Sequence, residues 1–132
     1  MLDDRISVLC VDDNADLAGA LCGLIGAEAD MCSVGAIHSA SDLLASIEAL
    51  KPDVVIVDLT MDGTPPLDAV RAATDAFPKT RTIVYSGYDD VKTVDQALDA
   101  GAWGFVSKHD ELDEIIAAIR AVKRGELVVK RR

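Results

Sequence analysis

Short apolar runs alternate with amphipathic stretches along the whole chain. Residues 6–11 are the first apolar run and predict a strand; 14–28 predict a helix, with Leu17, Leu21, Leu24 and Ile25 at three-to-four spacing. Residues 31–37 read as a second strand, followed by a helix that Ser39 or Ser41 can cap and that ends near Leu50. Pro52 separates that helix from "DVVIVDL", a solid apolar run closing on Asp58. Pro66 suits the first position of a third helix, which Phe77-Pro78 terminates. "RTIVYSG" predicts the fourth strand, residues 90–100 the fourth helix, and Gly101 its C-terminus. "WGFVSK" predicts the fifth strand, and Leu112, Ile115, Ile116, Ile119 and Val122 mark one face of a fifth helix.

Five strand–helix units in alternation predict an α/β fold, a doubly wound five-stranded parallel sheet covered on both faces. Ligands of such sheets bind beyond the carboxyl ends of the strands. Strand one ends in Asp12 and Asp13, strand three in Asp58, strand four in Ser86 and strand five in Lys108. Three clustered carboxylates repel one another unless a cation lies between them. A hard divalent ion, Mg²⁺ or Mn²⁺, resolves the conflict through oxygen ligands. Such a site suits phosphoryl transfer. Asp58 is placed to attack phosphorus and form an aspartyl phosphate, with the metal and Lys108 neutralising the phosphoryl oxygens and Ser86 donating a hydrogen bond.

Composition narrows the picture further. The 132 residues make one domain; half are apolar and only 4% aromatic, as aliphatic strands require. No run approaches the roughly 20 apolar residues of a membrane span, and the N-terminus "MLDDRISVLC" is acidic where a secretory signal is basic. The expected location is cytoplasmic, with no membrane partner. Cys10, Cys22 and Cys32 lack metal-binding spacing and read as buried reduced thiols. The net charge of −10 is uneven: residues 1–119 carry 7 bases against 22 acids, or −15. That body repels nucleic acid. Residues 1–127 are taken as the domain and 128–132 as a basic C-terminal tail or the start of a linker.

Each of these residues also has a plainer reading. Asp12-Asp13-Asn14 alone is a good helix N-terminus. Asp58 alone is a solvated turn acid, Lys108 is ordinary in isolation, and Ser86 before Gly87 is a turn residue. His38 and His109 read as surface residues, and Trp103 as partly exposed. Only the joint placement of the strand-end residues favours chemistry.

The order "VDD", "VDLTM", "YSG" and "FVSK" resembles the receiver domain of two-component response regulators over essentially the whole chain. "SGYDDVKTVDQALDAGAWGFVSK" followed by "ELDEIIAAIRAVKRGE" is closest in pattern to receivers of the NarL/LuxR type, which precede a helix-turn-helix. The resemblance implies a flavodoxin-like (βα)5 fold with strand order 2-1-3-4-5. It assigns metal binding to Asp12, Asp13, Asp58 and the Thr60 carbonyl, and makes Asp58 the phosphoacceptor. It also assigns Ser86 and Phe105 as a switch pair and Thr60 and Tyr88 as residues that tune dephosphorylation. Its implied partners are a histidine kinase or histidine phosphotransfer protein and an output domain or protein. That output docks on helix four, strand five and helix five, after phosphate draws Ser86 inward and Phe105 follows. A homodimer through helix four or five stays open. Catalysis is limited to the domain's own phosphorylation and dephosphorylation.

Three departures stand out. Asp62 occupies a position where the family usually has proline, adding a carboxylate near the site. Phe105 replaces a tyrosine and cannot donate a hydrogen bond, and His109 follows Lys108 where many members have proline. Two rival functions remain. One is a receiver-like interaction module that is never phosphorylated. The other is a haloacid-dehalogenase-type phosphatase, suggested by "VVIVDLTMDGT" but with its second aspartate, Asp62, four residues from the first instead of two.

Overall fold

A helix between consecutive strands carries the chain back to the starting end of the sheet, so the strands must pair in parallel. The computed structural model describes residues 4–61 and 65–129. Strands β1 (Ile6–Val11), β2 (Met31–Ile37), β3 (Val54–Asp58), β4 (Arg81–Ser86), β5 (Gly104–Ser107) and β6 (Val128–Val129) form one sheet in the order β2-β1-β3-β4-β5-β6. All five pairings are parallel. Helices α1 (Ala15–Gly26), α2 (Leu43–Leu50), α3 (Pro66–Ala76), α4 (Val91–Asp99) and α5 (Asp113–Lys123) complete the flavodoxin-like arrangement. No helix among the described residues is long and apolar enough to cross a membrane.

The two-residue period of the strands divides the core. Val8, Cys10, Ile56 and Ile83 face Leu21 and Ile25 of α1 and Ile115, Ile119 and Val122 of α5. Leu9, Val11, Val55 and Val57 face Leu43 and Ile47 of α2 and Val70 and Ala73 of α3. On the same side Val94 and Ala97 of α4 cover Val84 and Phe105. Burial of each large aliphatic side chain is worth about 1.5–3 kcal/mol. Two buried faces are why the strands are unbroken apolar runs.

Local signals set the element ends. Asn14 caps α1, its side chain accepting the Leu17 N–H at 3.1 Å, and Asp90 caps α4 through Thr93. Pro66 opens α3, and Phe77 closes it. The helix expected from Ser39 is split: Ser39 caps a 3-10 turn at Ala40–Asp42, and α2 begins only at Leu43. Gly101 adopts φ +105°, where a Cβ would also collide with Thr74. β6 is an addition to the five strands expected: Val128 and Val129 lie opposite Gly104 and Phe105. Residues 130–132 of the basic tail lie outside the described residues. Trp103 is half-buried beneath Arg81, whose guanidinium carbon is 4.5 Å from the ring centre. Of the three free thiols only Cys10 is fully buried, and burial, with Cys22 nearby, pushes its pKa up.

Candidate functional site

Register brings the strand ends level. Val11 of β1 pairs with Val57 of β3, so Asp12 and Asp58, the next residues, stand side by side. Ser86 pairs with Ser107, and Lys108 follows at the same edge. One oxygen from each of Asp12, Asp13 and Asp58 lies within 4.8 Å of the others. Asp12 and Asp58 are both 2% exposed, while Asp13 is open to solvent. Lys108 Nζ lies 3.1 Å from Asp58 Oδ1 and 3.9 Å from Asp12 Oδ2.

The nucleophile candidate is held on both oxygens. Asp58 Oδ1 accepts the Thr60 backbone N–H at 3.2 Å, and Oδ2 accepts the Thr60 hydroxyl at 2.8 Å. Asp12 Oδ1 accepts the Asn14 N–H at 2.9 Å, but its Oδ2 has no hydrogen-bond partner. Among the described residues the other buried side-chain atom of this kind is Arg81 Nε, next to Trp103 at the opposite end of the sheet. Burial pushes the Asp12 carboxyl above the usual range and the Asp58 charge adds to this, against the Asn14 N–H and Lys108.

These features fit a hard divalent cation. The donors are all oxygen, one buried carboxylate oxygen is orphaned, and a single ammonium faces three carboxylates. An orphaned carboxylate oxygen costs free energy that a bound cation would recover.

The remaining candidates occupy distinct places. Ser86 is fully buried, and its Oγ accepts the Tyr88 N–H at 3.0 Å. Tyr88 itself is 65% exposed, so its backbone, not its ring, reaches Ser86. Phe105 is already inside, packed among Val84, Val94, Ala97 and Ala102. Thr60 is exposed and turned onto Asp58. Asp62 lies outside the described residues. His38 and His109 are exposed, as their sequence context suggests, yet each holds a loop: His38 Nδ1 donates to the Asp12 carbonyl at 2.9 Å and His109 Nε2 to the Gly87 carbonyl at 3.0 Å. Sequence reasoning passed over Tyr85, whose ring centre is 5.6 Å from Lys108 Nζ. It also passed over Ser107, a hydroxyl closing an apolar strand, which was the available signal.

Comparisons with known proteins identify the family. The model of the response regulator receiver domain matches residues 8–120. Transcriptional regulatory protein YxjL of Bacillus subtilis is 30% identical over 130 residues, covering 98% of this chain and 60% of its own length. Response regulator protein VraR of Staphylococcus aureus is 29% identical over 123 residues, covering 93% and 59%. The signal receiver domain of the response regulator NarL from Mycobacterium tuberculosis superposes with a TM-score of 0.87 at 26% identity, covering 93% of this chain and 99% of that one. The chain thus spans about three fifths of the length of the two sequence relatives. A match over residues 8–120, which takes in every strand end around the acidic cluster, leaves one family for this chain: it belongs to the receiver domains of two-component response regulators.

Proposed function

We propose that Asp58 accepts a phosphoryl group from a histidine kinase or histidine phosphotransfer protein. The observation that carries this reading is the buried Asp12–Asp58 pair, with Lys108 3.1 Å from Asp58 and an orphaned oxygen on Asp12. Asp12, Asp13, Asp58 and the Thr60 carbonyl would hold Mg²⁺ or Mn²⁺, which supplies positive charge to the phosphoryl oxygens. An Asp58 oxygen attacks phosphorus as the bond from phosphorus to the donor breaks, and the donor leaves with that electron pair. Asp58 first gives up one of its internal bonds; the exposed Thr60 hydroxyl is the cheaper to release. Lys108 offsets charge on the transferred group, and Ser86 turns its hydroxyl from Tyr88 towards it.

The later consequences rest on the same reading. Thr60 and Tyr88 flank the water that reverses the reaction. Ser86 and Phe105 relay phosphorylation to the α4–β5–α5 surface, which changes its affinity for an output domain or partner. An output that binds DNA is the kind suggested by the relative named a transcriptional regulatory protein. The receiver, residues 1–127 with a basic tail or start of a linker at 128–132 whose Val128 and Val129 join the sheet, makes no direct contact with nucleic acid. Cytoplasmic location follows from this assignment.

Intact-protein mass spectrometry after incubation with Mg²⁺ and a small acyl phosphate tests it, with Asp58→Asn as control. One phosphoryl adduct is expected, absent from the control and from metal-free samples. A folded protein that takes no adduct, from the acyl phosphate or from candidate kinases, is an unphosphorylated interaction module.

A further inference from the structure

Ser86 and Lys108 must meet the same phosphoryl group, yet they leave the sheet on different strands and enter different loops. Between those loops runs a short row of bonds. The Lys108 N–H donates to the Ser86 carbonyl at 2.8 Å, continuing the ladder past the strand ends. Ser107, 4% exposed, donates its hydroxyl to Asp89 Oδ2 at 2.8 Å, and the same hydroxyl accepts the His109 N–H at 3.1 Å. His109 Nε2 then donates to the Gly87 carbonyl at 3.0 Å. Residues on both sides of the lysine therefore grip residues on the far side of the serine.

We infer that Ser107 and Asp89 form a clasp that fixes the Ser86 loop to the Lys108 strand, making both positioning residues for phosphoryl transfer. The inference rests on Asp58 being the phosphoacceptor and adds to it the part that aligns two phosphoryl contacts. A hydroxyl buried between a carboxylate and a backbone N–H is directional and leaves the loop one arrangement. Without the clasp, Ser86 and Lys108 still occupy their strand ends, but the loop bearing the serine is free to drift. Loss of alignment slows transfer while leaving the metal ligands untouched.

The test follows adduct formation on the full chain with Mg²⁺ and a small acyl phosphate. Ser107→Ala and Asp89→Ala are each expected to slow the reaction about fivefold. The double variant should fall well short of the product of the two single effects, because both break the shared Ser107–Asp89 bond. Ser107→Thr, which keeps the hydroxyl, should restore the rate. Mn²⁺ affinity, read from water-proton relaxation, should stay at the wild-type value in all of them. Unchanged or faster single variants, a multiplicative double variant, or a lowered Mn²⁺ affinity would overturn the clasp alone. Wild-type protein that takes no adduct on Asp58 overturns the site reading and the clasp together.

Discussion

Asp53 stands just ahead of β3 and accepts hydrogen bonds from the Ser7 backbone N–H at 3.0 Å and the Ser7 hydroxyl at 3.2 Å, with Lys123 3.2 Å from its other oxygen. Asp12, beyond the opposite end of neighbouring β1, has an oxygen with no hydrogen-bond partner and only Lys108, 3.9 Å away, to offset its charge. Burial raises both carboxyls, but at Asp53 the Ser7 bonds and Lys123 outweigh it and hold the group below the usual carboxylate range. At Asp12 burial prevails and the carboxyl rises. Glu28 and Asp30, near the Asp53 end, are likewise satisfied, both by Arg120. The acids at the amino ends of these strands are thus partnered, whereas at the carboxyl ends Asp12 is left with one oxygen short of a hydrogen bond. Self-satisfied acids contribute stability; acids left short of partners have something to gain from a ligand.

The largest effect should come from breaking the satisfied end. Asp53→Ala strands the Ser7 N–H and removes the Lys123 partner, and should cost about 2 kcal/mol in urea unfolding. The loss should depend on pH. Because the folded Asp53 carboxyl is lowered, its contribution is complete above the unfolded value near 3.9 and disappears as pH falls through the lower folded value. Wild type and Asp53→Asn should therefore converge in stability well below pH ~3.9; a gap that stays constant into strong acid would contradict this account. Relief at the carboxyl ends comes next. In metal-free buffer Asp12→Asn should raise stability by about 1 kcal/mol by removing a buried like charge. The same variant should lose the Mg²⁺-dependent rise in thermal midpoint expected of wild type. A destabilised variant would show that Lys108 already compensates Asp12. The smallest effect belongs to the exposed pairs. Arg120→Ala should lower the thermal midpoint slightly at low ionic strength and not at all in about 1 M salt.

How far the sequence revealed this depends on which signals are local. Unbroken apolar runs require two buried faces, so the parallel sheet was legible, and topology alone then placed Asp12, Asp13, Asp58, Ser86 and Lys108 at one edge. Caps such as Asn14 and Asp90 and the Pro66 start were legible because each acts within one turn. Contacts that depend on register between distant strands were not. The Ser107–Asp89 bond spans 18 positions and the Ser7–Asp53 network 46, and neither pair has a periodic signature. The 3-10 turn at Ala40–Asp42 was hidden because Ser39 caps either kind of helix equally well. The buried setting of Phe105 depends on how α4 lies across β5, which no stretch of sequence specifies. Val128-Val129 is too short to read as a strand at all.

That short strand has a consequence for how the sheet meets other molecules. The outer edge of a sheet is an open row of backbone donors and acceptors on which another chain can build. β6 covers Gly104 and Phe105, two of the four residues of β5. Along those two residues the backbone donors and acceptors of β5 are taken up by the chain's own β6, so a foreign strand has that much less of β5 to pair with.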